Sequence, residues 1–581
     1  MTREVLLSSS QATQAKQQGQ DRYFEKMRNL YTYDLESDYA SFNGNIACLS
    51  ATGFKKILLT LPSPKLAILT IYKLLMMSIA GVYAWLKSLV KGYPFPSFQD
   101  YYFFFFKQAD KQYLENFLDD SYFGLQRVSG ANPTWIRGLS TTKDCNLLEK
   151  LPVAEVVQNL TGKNYKQALA EKRLYLADYS VLKVMVDNLK KLPNGQQQYT
   201  TNPLALFYRQ DDGLLKPLAI KLYGTEVVSQ QNPLFTPKHG NHWTMAKFYV
   251  QNADLIIQNC WTHSVRTHYL VGSLLLGTYR NFSAKHPLFV LLKPHWQDTL
   301  AVNASIRFYR PKHKGEPIPL FGAALPCTQD TLGNFFGQGM RTYSFQKMAF
   351  PEDLKQQQLE DPELFFPYRD DGKLIWEAIE EFVSQYVRLY YQSDRDVIAD
   401  AELQAWGTEL GGSITEDKMG IPDFPTEFQT VTQVIETVRN IIFLATAQHN
   451  CVHYSLYKYV AFAPNMPFSL MAPPNTNLDE PISEADLSKL MPPLKNVLVQ
   501  SLGFYLNFIQ ANQLGDYKLN QFEPQAQQLI RQYQTKLSTI AKEIESRNQQ
   551  RVEHGQKSML PKSMLSYDLM NPKHIANSIT G

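Results

Sequence analysis

The sequence has few of the features that mark secreted, nucleic-acid-binding or repetitive proteins. Its 581 residues include five cysteines, an odd number without a CxxC pair, which indicates reduced thiols rather than a disulfide framework. The net charge is only +4, so we expect no nucleic-acid partner. The N-terminus is polar and shows no signal-peptide pattern, so we expect a cytoplasmic protein. No internal repeat is visible.

Composition and turn signals divide the chain into three zones. Residues 1–22 are rich in Gln and Ser, and we expect them to be mobile. Residues 23–110 are expected to form a helical extension, since no long run of alternating strands occurs there. Residues 111–581 favour a mainly α domain with small β segments, such as LALFYR and LAIKLY on either side of the turn signal at 211–213.

Four histidines in two motifs are the most informative residues. His263 and His268 lie in WTHSVRTH, and His449 and His453 lie in AQHNCVHYSLYKY. The second pair is spaced i and i+4, which is about 40° on an α-helix, so both imidazoles can share one ligand. The first pair is spaced i and i+5, about 140° apart on a regular helix. We therefore predict a π-distortion there, since a wider turn would bring the two rings into line.

A neutral imidazole in an apolar helix is unfavourable unless its lone pair is used. Imidazoles that converge on one point would form a metal site, and an N/O donor set with an open position suits non-haem iron chemistry. The residues alone leave the alternative open that each histidine is an ordinary core or surface side chain.

One long apolar run interrupts the otherwise moderate hydropathy. Ser63-Pro64 is a good helix start, and Gly92 with Pro94 is a good stop. The segment 66–86 spans roughly 32 Å as a helix, which is enough to cross a bilayer. On a helical wheel, four lysines share one face and the bulky apolar residues share the other, the pattern of a helix that lies in a membrane surface. The predicted membrane contacts are Lys65, Lys73, Lys87, Lys91, Leu75, Ile79, Val82 and Leu86.

Two other interpretations of this helix remain. It can pack on the rest of the protein, or it can span a membrane, although Lys73 near the bilayer centre would then cost about 2.5–3.5 kcal/mol.

From about residue 115 onward the sequence resembles the lipoxygenases. Segment 243–302 is similar to the family's iron-binding signature along its whole length. Further similar segments follow in the expected order, namely FGLQRVSGANP, RLYLADY, PYRDDGKLIWEAI, TAQHNCVHYSLYKYVAFAPNMP and the tail IANSITG. The resemblance implies a lipoxygenase-type helical catalytic domain over 111–581, of the bacterial type without an N-terminal β-barrel lipid-binding domain.

The resemblance also implies a ligand set. His263, His268 and His449 match three iron-binding histidines, and His453 stands at a fourth ligand position. The family's last ligand is the carboxylate of the final residue, usually isoleucine, which corresponds to Gly581 here. Iron is the implied cofactor, and manganese accepts similar donors. No catalytic side chain beyond the metal site is implied. The other histidines near the signature, His239, His242, His286, His295 and His313, match no ligand position.

Two positions that normally carry second-shell glutamines differ from the family pattern. They are Asn259 and Leu456 in this sequence. Since such groups relay hydrogen bonds to the metal shell, we expect altered tuning at these positions. Gly339 stands where S-specific members carry alanine and R-specific members carry glycine, so the resemblance implies an R-configured product, for example 9R. The alternative is a backbone-permissive turn glycine.

The implied reaction inserts O2 into polyunsaturated fatty acids of the linoleate, linolenate or arachidonate class, free or esterified, and gives hydroperoxides. Expected partners are the fatty acid, O2 and a membrane surface. Two alternatives are a fatty-acid hydroperoxide isomerase on the same scaffold and an inactive lipid-binding protein.

Overall fold

The computed structural model describes most of the chain. The described residues are 14–34, 46–49, 62–102, 114–140, 144, 146, 148, 151, 153–192, 194–224, 232–307, 324–412, 420–507, 509–554 and 562–580. They include His263, His268, His449 and His453, whereas Gly581 and His313 lie outside them.

Helices dominate the described residues, which confirms the predicted fold class. The helices before the sheet is complete are α1 (Gln14–Leu30), α2 (Pro64–Lys91), α3 (Asp120–Ser129), α4 (Ala154–Thr161), α5 (Tyr165–Ala170) and α6 (Lys183–Val186). Those that follow are α7 (Asn241–Ile257), π1 (Gln258–Tyr269), α8 (Leu270–Asn281), α9 (Pro287–Leu292), α10 (Thr299–Arg307), α11 (Gln329–Arg341), α12 (Phe350–Gln356), α13 (Pro367–Tyr390), α14 (Asp394–Ile398), α15 (Ala401–Gly411), α16 (Val431–Phe443), π2 (Leu444–Gln448), α17 (His449–Tyr459), α18 (Glu484–Lys489), α19 (Leu494–Asn507), α20 (Pro524–His554) and α21 (Lys562–Leu565).

The strands form two antiparallel sheets. The strands β1 (Tyr31–Asp34) and β2 (Ile46–Leu49) pair with each other, and five more strands form a sheet in chain order, namely β3 (Ile136–Gly138), β4 (Leu174–Asp178), β5 (Leu204–Arg209), β6 (Leu215–Lys221) and β7 (Leu234–Phe235). The predicted turn between β5 and β6 is confirmed. Gly213 has φ +82°, and the Asp212 carboxylate accepts the backbone N–H of Leu214.

The extension differs in two ways from the sequence expectation. Helix α1 begins at Gln14, so it runs across the expected boundary at residue 22, and the hairpin β1–β2 adds strands to a segment predicted to be helical. The reason is tertiary, because this segment packs on α8. There the buried Arg280 guanidinium donates to the carbonyl oxygens of Arg28 and Tyr31 at 3.2 and 2.6 Å.

Two continuous helical segments organise the centre of the molecule. The first runs through α7, π1 and α8, and the second runs through α16, π2 and α17. A capping box of Thr430 and Gln433 starts the second segment. The two segments pack against each other at their π-helical parts, and almost every side chain at that crossing is buried. The crossing therefore brings residues near 263 and 449 together.

Candidate metal centre

The first histidine pair lies on the 12-residue π-helix π1. A π-helix has a wider turn than an α-helix, so residues spaced i and i+5 lie one above the other. The Nε2 atoms of His263 and His268 are accordingly 3.0 Å apart. The predicted π-distortion is confirmed.

The second pair lies on α17 with the predicted i, i+4 spacing. A further π-turn, π2, immediately precedes His449, and the sequence analysis did not foresee it. The Nε2 atom of His449 lies 3.3 Å from Nε2 of His268, and Nδ1 of His453 lies 2.9 Å from Nε2 of His263. One nitrogen from each of the four rings lies within 4.8 Å of every other, and all four side chains are buried.

Burial favours the neutral form of three of these imidazoles, those of His263, His268 and His449. It lowers the pKa of His268 to about 4. Burial, together with repulsion from the neighbouring imidazoles, holds the pKa of His263 and of His449 well below the usual value. Neutral imidazoles keep one lone pair each, which is the form that binds a metal ion.

Asn303 fixes the orientation of one ring. Its amide nitrogen donates to the His268 backbone carbonyl at 2.9 Å, which turns its amide oxygen towards His268 Nδ1, 3.0 Å away. That oxygen accepts a hydrogen bond, so the proton of the ring sits on Nδ1. The lone pair on Nε2 of His268 therefore points into the cluster. Sequence reasoning missed Asn303, because its partner lies 35 residues away.

The cluster passes a test of fit for a metal ion. Two ligands at about 2.1 Å from a metal and at right angles are about 3.0 Å apart, close to the three separations observed. Among the described residues, Nδ1 of His263 and Nδ1 of His449 have no hydrogen-bond partner, so hydrogen bonds alone do not compensate the burial of these rings. The four nitrogens can hold a metal ion with N/O preference.

The fifth predicted ligand, Gly581, lies outside the described residues. The residues before it are well packed. Ile579 and Thr580 are completely buried, and the Thr580 hydroxyl lies 3.0 Å from the Tyr454 hydroxyl. Tyr454 follows His453 directly on α17, so the tail approaches the cluster up to the last residue described.

Comparison with known proteins identifies the family. The sequence profile of the Lipoxygenase family matches residues 99–572. The chain belongs to the lipoxygenase family. It is 32% identical over 469 residues to a linoleate 9/13-lipoxygenase of Pseudomonas aeruginosa, with 75% of this chain and 64% of that protein covered. It is 30% identical over 479 residues to a hydroperoxide isomerase of Rattus norvegicus, with 80% of this chain and 63% of that protein covered.

The solved structures agree on the fold. A LOX deletion variant crystallised anaerobically in complex with arachidonate superposes with a TM-score of 0.82 at 24% identity, covering 98% of this chain and 82% of that one. At this identity the likeness establishes the lipoxygenase fold alone. The chain spans less than two thirds of the length of the two curated relatives named above.

The two predicted second-shell positions of this lipoxygenase lie on π1 and α17. Asn259 is half-buried, and its carbonyl oxygen accepts the Ser264 hydroxyl at 2.6 Å. Leu456 is buried, and its apolar side chain relays no hydrogen bond. The neighbouring Gln258 does join the two segments, because its Nε2 donates to the Val452 carbonyl oxygen at 2.6 Å. A cross-helix glutamine is thus present one residue before the position inspected in the sequence.

Gly339 lies within helix α11, which rules out the turn interpretation and places it against π1. A Cβ atom added there would lie 2.8 Å from Cδ1 and 2.9 Å from Nε1 of Trp261. The indole is fixed by stacking on Phe335 and by donating to the Phe335 carbonyl oxygen at 2.8 Å. The space that glycine leaves is therefore taken by Trp261, which the sequence analysis did not include.

The four lysines of α2 each bond to the protein, which the sequence analysis did not predict, although Lys65 and Lys91 remain exposed. The ammonium group of Lys65 donates to the Ala511 carbonyl oxygen at 2.8 Å, and that of Lys73 donates to the Tyr505 carbonyl oxygen at 2.7 Å. Lys87 and Lys91 lie 3.4 and 2.6 Å from the Asp100 carboxylate. In contrast, the other four predicted contacts, Leu75, Ile79, Val82 and Leu86, are exposed.

Four of the other histidines near the signature have structural partners, as expected. His286 contacts Asp400 at 3.0 Å, and His295 lies 2.8 Å from both the Tyr517 hydroxyl and the Asn577 carbonyl oxygen. His242 lies 3.0 Å from the Asn477 carbonyl oxygen, and His239 Nδ1 accepts the Thr236 backbone N–H at 3.0 Å.

Proposed function

We propose that this protein is a non-haem iron dioxygenase that converts polyunsaturated fatty acids and O2 into fatty-acid hydroperoxides. The observation that carries the proposal is the convergence of four buried imidazoles in a chain of the lipoxygenase family. We assign His263, His268, His449 and His453 as ligands, together with the carboxylate of Gly581. Iron is the proposed metal, and manganese is the alternative that metal analysis would identify.

Bound iron would supply a one-electron oxidation that removes a hydrogen atom from the carbon between two cis double bonds. The protein's residues provide the setting for this chemistry. One nitrogen of each ring lies within 4.8 Å of every other, Asn303 fixes the tautomer of His268, and burial of the four rings excludes bulk water. The substrate radical would then take up O2, and the peroxyl radical would regain the electron and the proton removed in the first step, so that fatty acid and O2 together account for all atoms of the hydroperoxide.

We propose linoleate and its longer homologues as the substrate class. The proposal is supported by the name of the Pseudomonas aeruginosa relative, which is a linoleate lipoxygenase. Product analysis with free and esterified acyl chains of different lengths identifies the carbon that is oxygenated and the preferred substrate.

The decisive assay follows conjugated-diene absorbance and O2 uptake with dispersed linoleate, on purified protein whose metal content is measured in parallel. We expect about one iron per chain and stoichiometric O2 uptake. The variant His449→Ala should lose both metal and activity, whereas His574→Gln, at an exposed histidine outside the cluster, should keep both. Metal content near zero in the native protein would favour the inactive lipid-binding alternative.

We propose an R-configured product, because Gly339 provides no methyl group at the family's stereocontrol position. Chiral chromatography of the hydroperoxide tests this proposal. A predominantly S product from the native protein would contradict it.

A second candidate function is isomerisation of fatty-acid hydroperoxides, which the similarity to the rat hydroperoxide isomerase favours. An isomerase would consume a supplied hydroperoxide without net O2 uptake and would leave linoleate unchanged. Assays with linoleate alone and with the hydroperoxide alone therefore distinguish the dioxygenase from the isomerase.

We also propose that the enzyme works in the cytoplasm at a membrane surface, where fatty acids and acyl lipids are concentrated. The exposed apolar side chains of α2 support this proposal.

A further inference from the structure

Helix α2 has one face that packs on the protein and one face that is exposed. The inward face follows the stripe 66, 69, 73, 76, 80, 84 and 87, on which Leu66, Ala80 and Ala84 are buried. This face packs on helix α19. Leu502 of α19 lies beside Gly81, where an added Cβ would meet it at an ordinary 3.8 Å.

The outward face is almost entirely apolar. Twelve of the fourteen large hydrophobic side chains that are exposed among the described residues belong to this helix. They include Ile71 at 67% exposure, Leu75 at 62% and Val82 at 57%. Soluble proteins rarely expose a contiguous apolar surface of this kind without a partner.

The serine, threonine and lysine side chains of α2 already have partners within the protein. The hydroxyls of Thr70, Ser78 and Ser88 donate to backbone carbonyl oxygens of the same helix at 2.8, 3.0 and 2.7 Å. This back-bonding is how serine and threonine are accommodated in apolar surroundings. The helix contains no acidic residue, and its four lysines bond to the protein. The serine and threonine hydroxyls of this helix therefore need no hydrogen bond donated to water.

The bonds of the inward face also fix the orientation of the helix. Lys65, Lys73 and Lys91 tie both ends and the middle of α2 to the body of the protein, through Ala511, Tyr505 and Asp100. A helix held flat in this way exposes one side along its length, although by length and composition it could cross a bilayer. Helix α19, on which it lies, packs in turn on α17, which carries His449 and His453.

We propose that α2 is a monotopic docking surface whose outward face inserts into one leaflet of a lipid bilayer through apolar contact, with the lysines bonded to the protein rather than to lipid headgroups. This deepens the membrane attachment included in the proposed function. It places the four histidines two helix layers from the lipid, through α19 and α17.

The first experiment is flotation of the full-length protein with vesicles of phosphatidylcholine only, in low and high salt. Hydrophobic insertion needs no anionic lipid, so we expect binding to change by less than about twofold between about 0.1 and 1 M salt. A requirement for anionic lipid, with release in high salt, would instead mean that the lysines bind headgroups, and it would overturn the proposal.

Single substitutions locate the surface. Leu75→Asp and Val82→Asp should each weaken vesicle partitioning by about tenfold, because a carboxylate must then enter the apolar region. The matched control is Ile398→Asp on α14, where the exposure of 54% is similar but the site lies outside α2. Unchanged partitioning of both α2 variants, or an equal loss in the control, would contradict the assignment of the surface.

The depth of insertion separates docking from spanning. Ile79→Trp places an indole near the midpoint of α2. Its added fluorescence should be quenched more by lipids brominated near the headgroup than by lipids brominated near the chain end. Stronger quenching by the deep label would indicate a transmembrane helix and would overturn the monotopic arrangement.

Two readouts keep this proposal separate from the others. Metal content and turnover of dispersed linoleate should be unchanged in Leu75→Asp. If the native protein bound vesicles but did not turn over linoleate, only the enzymatic function would be contradicted, and the docking surface would stand. Light scattering in the absence of lipid tests whether a second copy of the chain covers this face instead. A native dimer that Leu75→Asp dissociates, in a protein that does not bind vesicles, would overturn the lipid assignment.

Discussion

At the level of single residues, the histidine cluster (His263, His268, His449 and His453) depends on the side chains that orient the imidazoles as well as on the imidazoles themselves. Asn303 makes two hydrogen bonds to His268, one to the ring and one to the backbone carbonyl. Gln258 joins the two histidine-bearing segments through the Val452 carbonyl oxygen. Such partners fix ring orientation and tautomer, which determine how well a ligand binds.

We predict that Asn303→Leu weakens metal binding by about 10- to 100-fold, because His268 loses the acceptor that keeps its proton on Nδ1. Affinity is measured by competition with a chelator on folded protein. Asn303→Asp retains an acceptor for the ring and should restore much of the affinity. Equal affinities for the native protein and Asn303→Leu would show that the orientation of His268 is fixed by packing alone.

Gly339 and Trp261 form a second residue-scale pair. We predict that Gly339→Ala destabilises the protein by about 1–3 kcal/mol, since the new methyl group would overlap the indole. Trp261→Leu should relieve most of this destabilisation in the double variant, which denaturant unfolding measures. Gly81→Ala is the control, because that helical glycine has room for a methyl group and alanine favours helix. If the double variant lost as much free energy of unfolding as the two single variants together, the predicted overlap would be contradicted.

At the level of elements, the π-helices set the site. Both histidine-bearing segments change from α to π geometry where they cross, and π1 brings an i, i+5 pair into line. A buried network supports π1 from outside. Thr262 donates to Asn132, which donates to Asp254, and Asp254 forms an ion pair with Arg127 at 2.9 Å. The network joins α3, α7 and π1.

We predict that Asp254→Asn destabilises the protein by about 3–5 kcal/mol, because the buried Arg127 guanidinium loses its counter-charge. The matched change Glu381→Gln disrupts an exposed pair with Lys536 at 3.6 Å between α13 and α20, and it should alter stability by less than about 1 kcal/mol. Denaturant unfolding compares the two variants. Similar losses at both positions would contradict the role given to burial.

At the level of the whole molecule, the four histidines and the exposed apolar helix α2 lie in one stack of helices. Helix α2 packs on α19, and α19 packs on α17. The apolar surface, the metal ligands and the supporting network are therefore parts of one folded body in which binding and stability are linked.

We predict that removal of the metal lowers the unfolding temperature of the whole protein. A ligand that binds only the folded state stabilises it, by about 3 kcal/mol at a hundredfold excess over Kd. Scanning calorimetry before and after chelation, and after anaerobic addition of ferrous iron, measures the change. His449→Ala should not respond to iron, whereas His574→Gln should respond like the native protein. An unfolding temperature independent of metal in the native protein would argue against the site.

Several features were predictable from the sequence because they depend on local patterns. The spacing of His263, His268, His449 and His453 predicts a shared ligand, and the i, i+5 spacing predicts the π-helix. Ser63 and Gly92 end an apolar helix that the structure places between them. Composition and family resemblance together predict the mainly helical lipoxygenase fold. Caps, turn residues and periodicity act over a few residues, so one sequence is enough to reveal them.

Other features were decided by contacts between distant segments. A helical wheel gives the angle between the lysines and the apolar residues of α2, but it does not say which face meets the protein. Here the ammonium groups of Lys73 and Lys65 donate hydrogen bonds to the carbonyl oxygens of Tyr505 and Ala511, and the apolar face is left outward. Likewise, only packing places Trp261 beside Gly339 and Asn303 beside His268. The sequence determined which groups are present and at what local spacing, and the tertiary structure decided their partners, because those partners lie tens to hundreds of residues away.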